Sequence, residues 1–233
     1  MNDEVFKSLE KAISKDRLEH YAKIFNLNSN KSIIKKYILN VELSKSLYFP
    51  LQTLETTLRN SIHEVLTQKF NNEFWFEDES FINPKTIAKG DIRTARSKIE
   101  NSKEQTSGRI ISELNFGFWS YLFGRYYEQK IWNKYVKQIF PNIPKSMAKR
   151  RKLAQIINTI KNLRNKVFHF DTIVNIESLF EIHKQILEVI KWLNKDIYDL
   201  VSELDDFDYI YKNEEKVIEE KLDNLLGERV DDI

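Results

Sequence analysis

Leu51, Leu54, Leu58, Ile62 and Val65 follow one another at spacings of three and four, a stripe that an α-helix gathers on one side. The same period recurs along most of the chain with little punctuation: five glycines and four prolines in 233 residues leave few places for turns. That argues against a turn-rich β fold, and the expected class is all-α. With 41% hydrophobic and 31% charged residues, the chain can bury one sizeable core and reads as an ordinary soluble protein. The absence of cysteine removes disulfides and thiolate metal sites. No apolar run approaches the ~20 residues of a membrane span. Met1-Asn2-Asp3-Glu4 lacks a signal-peptide pattern, so a cytoplasmic location and no membrane partner are expected.

The net charge of +2 conceals an asymmetry. Between Glu203 and Ile233 twelve acids face four bases, leaving 23 acids against 33 bases, or +10, in residues 1–202. The expected organisation is therefore a basic helical domain over 1–202 and an acidic helical extension over 203–233. A basic body suits a polyanion, because neutralising phosphates releases their counterions, although a solvated basic face has the same composition. The tail either masks that surface or is a soluble helix.

Periodicity predicts helices over 4–14 and 16–26, with Asp16 as a cap and Leu18, Tyr21, Ala22 and Phe25 on the apolar face. A helix over 32–48 follows, with Ile33, Ile34, Tyr37, Ile38, Val41 and Leu47 inward; Pro50 then opens a new helix reaching Phe70. Beyond the aromatic run Phe74-Trp75-Phe76, a polar helix is expected over 85–101, a loop from Ser102 to Gly108, and a helix carrying Tyr121 through Tyr135. Aromatics this dense fit a core, or a platform on which bases stack. Further helices are expected from Ser146 to His169, from Ile176 to Leu200, and from Asp208 to Leu226.

Chemistry concentrates in Leu163-Arg164-Asn165-Lys166-Val167-Phe168-His169. Arginine offers a fixed phosphate clamp, asparagine a neutral amide, and histidine is the residue type that titrates near neutral pH. On a helix Asn165 and His169 share a face and Arg164 lies one step round. The plain alternative is a surface helix with a cationic residue at the negative end of its dipole. A second polar stripe, Glu55, Arg59 and His63, is either an exposed ion pair with a core-satisfied histidine or the wall of the same cleft. The basic cluster Lys149, Arg150, Arg151 and Lys152, next to Lys145, is the candidate phosphate-binding patch. No glycine-rich phosphate loop, paired-histidine metal spacing or Gly-x-Ser-x-Gly elbow occurs, and no cofactor or metal is expected.

Three stretches in one order resemble a known family. Tyr48-Phe49-Pro50-Leu51 with Leu54-Glu55 and Leu58-Arg59-Asn60-Ser61-Ile62-His63 form the first, and Gly108-Arg109-Ile110-Ile111-Ser112-Glu113-Leu114-Asn115-Phe116-Gly117-Phe118-Trp119 the second. Ile160 with Leu163-Arg164-Asn165 and His169 forms the third. Over roughly residues 16–190 the chain resembles the Abi-like (abortive infection) proteins of the HEPN superfamily. The resemblance implies an all-α, HEPN-like helical bundle and a metal-independent endoribonuclease of phage defence or a toxin–antitoxin pair. It also implies a homodimer acting on RNA, with an antitoxin protein or RNA as a further partner. Carried over, the catalytic pair is Arg164 and His169 with Asn165 beside the arginine, and Glu55, Arg59 and Asn60, with His63, are supporting candidates. The family commonly follows its histidine with a second histidine and a glutamate; here Phe170 and Asp171 stand instead. The competing readings are a non-catalytic RNA-binding module and a protein-interaction helical module.

Overall fold

Two short helices, α1 (Asp3–Ile13) and α2 (Lys15–Ile24), lead into α3 (Asn30–Phe70), a single helix where two were expected. The computed structural model describes residues 1, 3–78, 80–82, 87–99 and 105–227. Pro50 lies inside α3 and does not open a new helix. A proline within a helix costs about 3 kcal/mol. Leu47 and Leu51 on either side of it are buried, as are Leu54, Leu58 and Ile62, and each such side chain contributes roughly 1.5–3 kcal/mol. In the first half of α3 the inward face also differs from expectation: Leu39 and Leu43 are buried, whereas Val41 is 42% exposed. Ser14, not Asp16, caps α2, accepting from the Arg17 N–H.

The remaining helices are α4 (Ile87–Ile99), α5 (Ser107–Glu113), α6 (Phe116–Tyr121), α7 (Asn133–Ile139), α8 (Arg150–Phe168), α9 (Leu179–Leu193), α10 (Lys195–Leu204), α11 (Phe207–Lys212) and α12 (Glu214–Gly227). Among the described residues the fold is all-helical, with no strand. No helix there is long and apolar enough to cross a membrane. Ser102, Lys103 and Glu104 of the expected loop lie outside the described residues; Ser107 and Gly108 already belong to α5, capped by the Thr106 hydroxyl.

The aromatic helix expected through Tyr135 is broken up. Gly124 is extended, a 3-10 turn and a π-turn cover 125–132, and only then does α7 begin. This folding-back lets Phe123 stack on Trp132 at 4.1 Å and brings Trp132 Nε1 to the Leu122 carbonyl at 2.7 Å. Gly117 serves the same region: a Cβ there would stand 2.7 Å from Oδ1 of Asn115, the residue that caps α6. Asn194 divides the next expected helix by capping the Ile197 N–H, giving α9 and α10, and Asn213 stands between α11 and α12.

Contacts divide the chain into two units, each assembled from separate stretches. Unit 1 holds 1–48, 166–180 and 205–233. Its core includes Leu18, Tyr21, Leu43, Val167, Ile173 and Phe207, with Val217, Ile218 and Leu222 from the acidic tail. The tail is tied on by charge as well: Lys35 reaches Glu219 at 2.9 Å, Lys36 reaches Glu214 at 3.6 Å, and Lys221 reaches Glu42 at 2.7 Å. Unit 2 holds 49–165 and 181–204. The dense aromatics are its core, since Trp75, Phe76, Phe116, Phe118, Trp119, Phe123, Tyr127, Trp132 and Phe140 are all buried.

Candidate functional site

Within unit 2 the stripe on α3 and the C-terminal part of α8 meet. Leu163 and Ile160 are buried, which turns Arg164 beside them toward α3, and its Nε donates to Oε2 of Glu55 at 3.1 Å. Both side chains are partly shielded from water, so the pair is stronger than an exposed helix-surface pair. Glu55 therefore joins Arg164 across 109 residues of sequence. Arg59, one turn further along α3, has its Nε on Oδ1 of Asn60 at 3.3 Å. Asn165 is exposed.

His63 is turned to the core. Its Nδ1 accepts the indole N–H of the buried Trp75 at 3.0 Å, which places the imidazole proton on Nε2. Burial pushes its pKa down, Glu73 partly opposing and Arg59 adding to the fall. A neutral histidine satisfying a core tryptophan is a packing element.

His169 belongs to unit 1, in the turn that closes α8, and is exposed. The turn has the bond pattern of a Schellman cap: the Phe170 N–H donates to the Val167 carbonyl at 3.2 Å and the Asp171 N–H to that of Lys166 at 2.9 Å. Phe170 takes the left-handed conformation, φ 59°, that this cap demands. The segment beyond is clamped by Asn40, which is buried on α3. Its Oδ1 accepts from the Ile173 and Val174 N–H groups at 2.7 and 3.1 Å, and its Nδ2 donates to the Asp171 carbonyl at 3.2 Å. Tyr21 adds a side-chain hydrogen bond to Thr172; burial raises its pKa and that bond opposes the rise. His169 is thus presented on a backbone fixed from both directions.

The basic cluster is divided in role. Arg150 turns inward, its Nη1 on the Phe123 carbonyl at 3.0 Å and its Nε 3.4 Å from Glu128, so it holds the broken aromatic segment. Lys149, Arg151 and Lys152 are exposed, with Lys152 Nζ on the Ser146 carbonyl at 3.0 Å. Arg150, Ala154, Asn158 and Lys161 of α8 line one side of a cleft of about 520 Å³. Asp91 borders it, its pKa raised by burial. Among the described residues, no group of three or more histidine, cysteine, aspartate or glutamate side chains could hold a metal ion.

Comparison with protein-family models, with curated proteins and with solved structures gives no match.

Sequence reasoning passed over Asn40 and the cleft along Asn158 and Lys161. Asn40 carried a signal, as an amide between inward Leu39 and Leu43 must find partners when buried. The cleft carried none, since single polar residues on a helix look alike whether they face water or a cavity.

Proposed function

We propose that this chain is a metal-independent endoribonuclease of the kind its resemblance to Abi-like HEPN proteins implies. The observation that supports it most is the Glu55–Arg164 pair, in which two sequence blocks of that resemblance meet in one place. Glu55 orients the guanidinium, which holds a phosphate and stabilises the charge developing on its oxygens. Asn165 adds an exposed amide. His169 takes the proton from the ribose 2′-hydroxyl as that oxygen attacks phosphorus, or delivers a proton to the departing 5′-oxygen. One histidine does not perform both transfers in one turnover, so a homodimer supplies the second. The products are a 2′,3′-cyclic phosphate and a 5′-hydroxyl. A role in phage defence or as a toxin held by an antitoxin goes with this reading.

The test is incubation of the protein with end-labelled RNA and with DNA of the same sequence in excess chelator, with the ends of any fragments analysed. Cyclic-phosphate ends from RNA alone are expected, because DNA lacks the attacking hydroxyl. Fragments ending in 3′-hydroxyl groups, or equal cutting of DNA, would refute the mechanism. The exposed Lys149, Arg151 and Lys152 favour a second reading, a non-catalytic RNA-binding module, which expects salt-sensitive binding and no fragments.

A further inference from the structure

Among the described residues the same helix-ending turn occurs three times. After α2, the Asn26 N–H donates to Lys23 and the Leu27 N–H to Ala22; after α3, Asn71 donates to Gln68 and Asn72 to Thr67; after α8, Phe170 and Asp171 repeat the pattern. The left-handed position is taken by asparagine in the first two, with φ 50° at Asn26 and 48° at Asn71, and by phenylalanine in the third. Asparagine tolerates that conformation; a bulky side chain there is strained and buries little in return, for Phe170 is 74% exposed. Strain retained at one of three equivalent positions directs attention to what the side chain does.

Phe170 lines a groove of about 500 Å³ lying wholly within unit 1. Tyr48, 51% exposed, lines it too and stacks on Phe168 at 5.3 Å with the rings 27° apart. Among the described residues its charged lining residues are Arg17 and Lys45, and no acid lines it. Lys45 lies 3.8 Å from Glu42, which holds Lys221 at the shorter 2.7 Å. The Ser44 hydroxyl, also in the lining, has no hydrogen-bond partner among the described residues. Exposed rings flanked by cations are the parts with which proteins hold unpaired nucleotides: bases stack on the rings and phosphates meet the cations. A wholly apolar partner would leave the two cations unused.

We infer that this groove is a base-stacking subsite for single-stranded RNA, in which Phe170 and Tyr48 receive a nucleobase next to the nucleotide that reaches His169. The inference rests on the ribonuclease reading and adds to it the substrate class, an unpaired strand. It also gives Phe170 a reason to stand where a strain-free residue would serve the fold better.

The test uses fluorescence anisotropy with the full chain and two labelled probes: a 2′-O-methyl oligoribonucleotide, which cannot be cleaved through its 2′-oxygen, and an abasic strand of the same length and charge. The parent is expected to bind the base-bearing probe at least about tenfold more tightly, as stacking on one aromatic residue permits. Phe170→Gly should erase most of that preference while its melting temperature stays at or above the parent's, so lost binding is not lost folding. Lys45→Gln should weaken both probes alike. Undiminished preference in Phe170→Gly, or a parent that cuts RNA yet does not distinguish the probes, would overturn the subsite and leave the ribonuclease standing. A parent that neither binds nor cuts RNA would overturn both. A change of oligomeric state in Phe170→Gly with binding unaltered would assign the groove to a second copy of the chain, against the inference.

Discussion

His63 and His169 carry the same side chain in opposite surroundings. His63 is half-buried, accepts a hydrogen bond from a core tryptophan, and is held neutral by burial. His169 is exposed, and the segment after it is held by a Schellman cap, by three bonds from Asn40 to backbone groups, and by Tyr21 on the Thr172 side chain. A histidine that spends Nδ1 on a core tryptophan is held by packing and keeps only its Nε2–H to offer. A histidine on a braced turn has both reach and direction. The difference teaches that support for function shows in what holds the residue, more than in the residue itself.

Exchanging each for alanine separates the two roles. His169→Ala should lower RNA cleavage by roughly 10²–10⁴-fold, the usual worth of a general acid or base, with an unchanged melting curve. Asn40→Ala should destabilise unit 1 by about 1–3 kcal/mol for buried groups left unpaired and lower cleavage as well, because it frees the turn beside His169. Urea unfolding and an RNA cleavage assay on one preparation would show whether both fall together. His63→Ala should cost stability on the same order, about 1–3 kcal/mol, through the orphaned Trp75 N–H, while a folded sample cuts RNA at the parental rate. A cleavage defect in the folded His63→Ala protein would erase the contrast between the two histidines.

The smallest effect is in pH. His63 has a lower pKa folded than its ordinary value of 6.5, so the unfolded chain binds more protons in the interval between the two. The stability it contributes is complete above that ordinary value and falls as pH drops through the interval. Denaturant unfolding near pH 7.5 and pH 5 should show a larger loss in the parent than in His63→Ala.

Much of the fold was readable because the apolar stripes are regular: Leu51, Leu54, Leu58 and Ile62 are inward as their spacing requires. The expected break at Pro50 failed because local cost was weighed without the leucines on both sides. The aromatic segment defeated periodicity for a related reason, as Gly124 and the Phe123–Trp132 stack reward a fold-back that no period records. Of the candidate site, the Arg164 to His169 stretch was visible from residue types, whereas its bracing was not. Asn40 bonds backbone groups and Tyr21 the Thr172 side chain, all more than 130 residues away; the place of Asn40 between inward leucines shows that it needs partners, and nothing local names them. Arg150 shows the converse, a charged residue in a basic run that turns to a carbonyl inside the fold.

The most direct measurement is the initial rate at which equal amounts of parent and His169→Ala protein cut one labelled single-stranded RNA in excess chelator. Cyclic-phosphate fragments are expected from the parent and a rate at least a hundredfold lower from the variant, whose melting temperature is unchanged. Equal rates from the two proteins, or no cutting by a folded, dimeric parent, would contradict that expectation.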